Sequence, residues 1–174
     1  MLGEGTLSSA FIPVFSETLN KSKKQALLLL SQVTSRLFVF LGIISLLVCL
    51  LSYYASVSEW GGETKWSKGL FLNSISFGYV VLICASAIMV GALNSTGRFF
   101  EGAFSSVLLN LCMISSMVLG KYFFDLEMID IAALLCMSVL FAGVLQLALP
   151  WLKLRNSMDW SWPVSYTHLR AHET

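Results

Sequence analysis

Long runs of apolar residues alternate with short polar joints along this chain, and neither the period of two of a half-buried strand nor the polar stripe of a surface helix interrupts the runs. Residues 37 to 57, 69 to 93, 103 to 120 and 131 to 152 contain no Asp, Glu, Lys or Arg. Each approaches the 20 or so residues that a helix needs to cross about 30 Å of hydrocarbon. Ionised groups near a bilayer centre cost at least about 2.5 kcal/mol each on insertion scales, so their absence from all four runs predicts spanning helices. A soluble core would need helices with one polar face. Barrel strands would alternate, and "LFVFLGIISLLVCLL" does not.

Residues 1 to 16 are apolar but too short for a complete span and read as the second half of one, bent at Pro13. Residues 17 to 36 read as a polar connection whose "ALLLL" starts an interfacial helix or lengthens the next span. "WGGETKWSK" and "KYFFDLEMID" read as short external loops with aromatic residues at headgroup level. Loops this short join antiparallel neighbours, which makes residues 37 to 157 a four-helix bundle and the whole an all-α membrane protein.

Composition agrees with that pattern: 56% of the 174 residues are hydrophobic and 12% are charged. A net charge of +1 gives no basis for a nucleic-acid partner. Placement of the charges says more. Lys21, Lys23, Lys24, Arg36, Arg98, Lys153 and Arg155 fall in alternate joints, whereas the intervening loops hold Lys65, Lys68 and Lys121 diluted by five acidic residues. The positive-inside bias puts the Lys21, Arg98 and Lys153 joints in the cytoplasm.

Cys49, Cys84, Cys112 and Cys136 lie inside spans with no CxxC pair, which argues against a metal site or disulfide framework. His168 and His172 sit in "PVSYTHLRAHET", a tail that resembles translated sequencing adapter, so residues 158 to 174 read as artefact rather than as a metal site. No nucleophile has a base beside it and no Walker-type loop occurs. The pattern therefore implies neither an enzyme nor a cofactor.

The joint "ALNSTGRFFEGAF" gathers polar groups between two spans. Asn94 and Ser95 can end a helix, Gly97 can supply a left-handed stop, and Arg98 places a cation at the membrane edge. Anchoring explains Arg98; contact of Arg98 and Asn94 with a lipid headgroup or phosphate is the functional alternative. Asn110 is a lone amide inside a span, and such residues usually bond a neighbouring helix; Gln146 reads the same way.

"GEGTLSSAFIPVFSE" followed by "GALNSTGRFFEGAFSSVLLNL" resembles the MurJ/MviN family of lipid II flippases, within the multidrug/oligosaccharidyl-lipid/polysaccharide exporter superfamily, over about residues 2 to 157. The resemblance implies one part of a two-lobed, fourteen-helix transporter: the end of helix two through helix six. It implies alternating access in the bacterial inner membrane, an undecaprenyl-linked peptidoglycan precursor as cargo, and the remainder of the transporter as partner. It also places Glu4 on a cavity-facing helix, paired with an arginine during gating. Relatives commonly carry Pro where this chain has Glu101-Gly102, and often a second Pro where it has Ser106. The family's first helix and the arginines that approach helix two are absent here, so the chain alone is expected not to flip substrate. Glu4, Asn94, Ser95, Arg98 and Asn110 are the candidate path residues; another exporter of the superfamily, or an inactive membrane remnant, is the competing reading.

Overall fold

The computed structural model describes residues 2–58 and 65–158. The order is α1 (Leu2–Lys21), α2 (Lys23–Val57), α3 (Lys65–Ser76), α4 (Tyr79–Asn94), α5 (Phe100–Val118), a π-helical turn (Leu119–Phe123) and α6 (Met128–Met158). Among the described residues all regular structure is helical. Four segments among the described residues are long and apolar enough to cross a membrane: Lys23–Val57, Trp66–Asn94, Phe100–Phe123 and Met128–Ser157.

The expected connection at residues 17–36 is helical except for one break at Ser22, whose extended backbone (φ −160°, ψ 119°) separates α1 from α2. At 35 residues α2 is about 50 Å long, more than a bilayer core requires. Its amino-terminal turns thus extend past the hydrocarbon, as a start at Lys23 and Lys24 requires. Likewise α1 runs on to Lys21 and passes through Pro13 without interruption. The loop expected across residues 60 to 68 is shorter, because α3 begins at Lys65. The tail with its two histidines lies outside the described residues.

One expected span is not a single helix. Residues 69 to 93 fall on α3 and α4, divided at Phe77–Gly78. There the backbone resets through tight bonds from Val80 N–H to the Phe77 carbonyl (3.1 Å) and from Val81 N–H to Gly78 (3.3 Å). Ser45 of α2 donates to the Phe77 carbonyl at 3.4 Å. Irregular backbone at membrane depth persists where protein groups satisfy it.

The core lies where α1, the start of α2 and the ends of α4 and α6 converge. Phe11, Phe15, Ala26, Leu30, Ile88, Met89, Ala92, Leu93 and Leu154 are buried together there. Phe11 and Phe15 stack at 5.3 Å. Gly91 lets α1 approach α4 closely, with Ile12 and Phe11 lying 3.6 and 3.7 Å from where a Cβ would stand. Outside this cluster, large apolar side chains face outward: Leu47, Leu51 and Tyr54 on α2, and Val107, Leu111 and Ile114 on α5, are all more than half exposed. In water such a band would be a liability; against lipid it is the contact surface.

Candidate functional site

Proline inside a helix deprives the carbonyl four residues earlier of its N–H partner. Pro150 lies within α6, and the carbonyl it deprives is that of Gln146. Ser86 of α4 supplies the missing donor: its hydroxyl reaches the Gln146 carbonyl at 2.7 Å. The Gln146 side chain, 1% exposed, is occupied as well. Tyr79 donates its phenol proton to Oε1 at 3.0 Å, and Nε2 donates to the Ser105 carbonyl at 2.6 Å. Thus one residue of α6 ties α4 and α5 together through three hydrogen bonds. Every polar group of Gln146 that the proline and the low dielectric would leave costly is met by a neighbour.

Glycine makes room for this hub. A Cβ on Gly143 would stand 2.8 Å from Tyr79 Cδ2 and 3.0 Å from Leu82 Cδ1, so the Tyr79 ring lies against bare backbone. A Cβ on Gly102 would stand 2.8 Å from Val90 Cγ1, which brings the start of α5 equally close to α4.

From Gly102 onward a cleft of about 350 Å³ lies between the two helices. Tyr79, Ser86 and Ala87 line one wall, Ser105, Ser106 and Asn110 the other, and Gln146 lies at the back. Among the described residues no Asp, Glu, Lys, Arg or His lines it. Asn110 is exposed in the cleft and, like Ser106, has no hydrogen-bond partner among the described residues. The helix-to-helix bond expected of a lone membrane amide is therefore made by Gln146 and not by Asn110.

At the elbow, Gly97 has φ +80°. Its N–H bonds the Asn94 carbonyl at 3.0 Å while the Arg98 N–H bonds that of Leu93 at 3.2 Å, a Schellman closure of α4. Ser95 spends its hydroxyl on the Ala92 carbonyl at 2.7 Å. Arg98 is exposed, and Phe99 and Phe100 beside it are 67% and 70% exposed. Two buried acceptors flank the turn: Asn94 Oδ1 and Glu101 Oε2 have no hydrogen-bond partner among the described residues, although Glu101 is only 8% exposed.

Of the five residues singled out from the sequence, Asn94, Ser95 and Arg98 share this elbow, and Asn110 stands apart in the cleft. Glu4 lies in α1, and its side chain falls outside the described residues. Sequence reasoning did not single out Tyr79, Ser86 and Ser105. The spacing of Gln146 and Pro150 carries the signal that finds them, since a proline four residues after a polar residue on one span announces an open carbonyl that needs a donor.

Apolar helices facing outward and polar side chains gathered between α4, α5 and α6 define a multi-pass helical membrane protein with a hydrogen-bonded interior. The family model "Lipid II flippase MurJ" matches residues 1–170, and the chain belongs to that family. It is 26% identical to the probable lipid II flippase MurJ of Rickettsia prowazekii (strain Madrid E) over 171 residues, 95% of this chain and 32% of that protein. Identity to the probable lipid II flippase MurJ of Bdellovibrio bacteriovorus (strain ATCC 15356 / DSM 50701 / NCIMB 9529 / HD100) is 34%, across 66% of this chain and 23% of the relative. Against that of Borreliella burgdorferi (strain ATCC 35210 / DSM 4680 / CIP 102532 / B31) it is 32%, across 86% and 29%. The chain thus spans about a third or less of the length of these relatives. No solved structure matches it significantly. Family and spans together make it a multi-pass protein of the bacterial inner membrane, in a family of transporters.

Proposed function

We propose that the chain forms part of a flippase that carries undecaprenyl-linked peptidoglycan precursor across the inner membrane, supplying helices of one lobe. Rocking of two lobes about a central cavity is the transport mode that such an assembly supports. The observation that carries this reading is the family match over residues 1–170, with the polar cleft between α4 and α5 as its structural counterpart. Transport needs no covalent step from the protein, and the site offers hydrogen-bonding groups rather than a nucleophile with its base.

Within this reading Arg98 and Asn94 stand at the cytoplasmic edge, where a guanidinium suits the headgroup phosphates of an arriving lipid as well as those of the bilayer. Ser95 supports the turn that holds them. Glu4 belongs to the cavity-facing helix and takes a gating role, and Asn110 stands on the path of the polar headgroup.

The test is a graft. Residues 2–157 replace the matching segment of the full-length Rickettsia prowazekii relative, and the chimera is expressed in cells depleted of their own flippase. Restored growth is the expected result. Lysis with the chimera inserted at the level of its parent would overturn the assignment.

A further inference from the structure

We propose that the cleft between α4 and α5 is a subsite for one neutral sugar ring of the lipid-linked cargo, with Asn110 and Ser106 as the groups that grip it. The proposal rests on the flippase reading above and adds to it which part of the cargo the cleft takes.

Asn110 lies midway along α5, at a depth where an amide without a hydrogen bond costs roughly 2–7 kcal/mol against hydrocarbon. It is exposed where it lines the cleft, and no described residue bonds it. Ser106 stands one helical turn earlier on the same face, its hydroxyl equally unspent. The neighbouring polar groups are unavailable, because Tyr79 and the Gln146 amide are committed to each other and to the Ser105 carbonyl. Free capacity at the site therefore consists of two amide donors, one amide acceptor and one hydroxyl, all on one wall.

That inventory selects the ligand chemistry. Among the described residues no ionised side chain lines the cleft, and these residues offer nothing to hold a pyrophosphate or a peptide carboxylate, which need cationic partners once desolvated. Neutral hydroxyl and acetamido groups match an amide and a serine hydroxyl donor for acceptor. Size narrows the choice further. About 350 Å³ is at the low end of small-ligand pockets, roughly 300–1,000 Å³, and suits a single ring rather than a disaccharide with its peptide. Cβ atoms one turn apart are about 5–6 Å from each other, comparable with the width of a pyranose. Ala87 and Val90 give the opposite wall an apolar surface for the ring's C–H face.

The experiment uses the full chain in lipid nanodiscs and two probes: undecaprenyl pyrophosphate, and the same lipid carrying one N-acetylhexosamine. Competition between them is read by native mass spectrometry. The wild-type chain should favour the sugar-bearing lipid by about 5-fold or more, the yield of one or two neutral hydrogen bonds. Asn110→Leu, an isosteric change at an exposed position, should abolish that preference. Ser106→Ala should reduce it. Equal retention of both lipids by the wild type, retention of neither, or a preference that survives Asn110→Leu would overturn the proposal, and would mean that water or a further helix fills the cleft. Growth of the chimera without a sugar preference removes the subsite alone; failure of both experiments removes the flippase reading with it.

Discussion

Ser86 and Gln146 lie 60 positions apart and meet at 2.7 Å, hydroxyl to carbonyl, at the one carbonyl of α6 that Pro150 leaves without its helical partner. The serine repairs a defect made by the proline, and that dependence can be measured. Ser86→Ala leaves a buried carbonyl without a donor and should cost about 1–2 kcal/mol. Pro150→Ala returns the N–H of residue 150 to the helix, so Ser86→Ala in that background should cost close to nothing. Thermal unfolding of the four proteins of the cycle in detergent checks it, and equal losses in both backgrounds would show that the two residues act independently.

Glycine 143 should tolerate no side chain. Even a methyl group there would stand 2.8 Å from the Tyr79 ring, forcing the ring away and with it the 3.0 Å bond to Gln146. Overpacking of this kind costs about 1–3 kcal/mol. Gly42, also within a helix, has nothing within 4 Å of its Cβ position, and alanine there should be neutral or stabilise by up to about 1 kcal/mol through helix propensity. Opposite signs for Gly143→Ala and Gly42→Ala in one melting experiment are the expected outcome.

Much of the architecture was legible because its cause is one-dimensional. Length and the absence of charge settle where helices cross a membrane, and all four expected spans lie on helices. Gly97 was legible too, since a small polar run ending in Gly announces a left-handed stop. The division of the second span at Phe77–Gly78 was not. Nothing in "SISFGYVV" is polar enough to mark a break, and its support comes from Ser45, 32 positions away. For the same reason Gln146 and Asn110 looked alike in sequence. Each is one amide in an apolar helix, and only the neighbouring helices decide that Gln146 is spent and Asn110 is free.

Glu101 illustrates a conflict that magnitudes decide. A carboxylate in the first turn of a helix gains about 0.3–1 kcal/mol from the helix dipole. Leaving an oxygen buried without a donor costs about 1–3 kcal/mol, more for a charged group. Burial wins, so Glu101→Gln should stabilise the chain by about 1 kcal/mol at neutral pH, or about 2–4 °C in melting temperature for a chain of this length. A lower melting temperature would mean that the carboxylate has a cationic partner in the intact protein.

Orientation of the bundle rests on the elbow. Arg98, Lys153 and Arg155 are all exposed at the ends of helices that reach the same face, and the positive-inside bias predicts that this face lies in the cytoplasm. Asp125 lies at the opposite end of α5, where its backbone turns at φ +43° and its carboxylate meets Lys121 at 2.9 Å, both side chains exposed. A single cysteine at each position, in a background freed of the four native thiols, separates the two faces. Thr96→Cys should resist a membrane-impermeant maleimide in intact spheroplasts and react once they are lysed; Asp125→Cys should react in both. Labelling of residue 96 from outside would invert the bundle, carry Arg98 away from the cytoplasmic phosphates, and remove the entry role assigned to it.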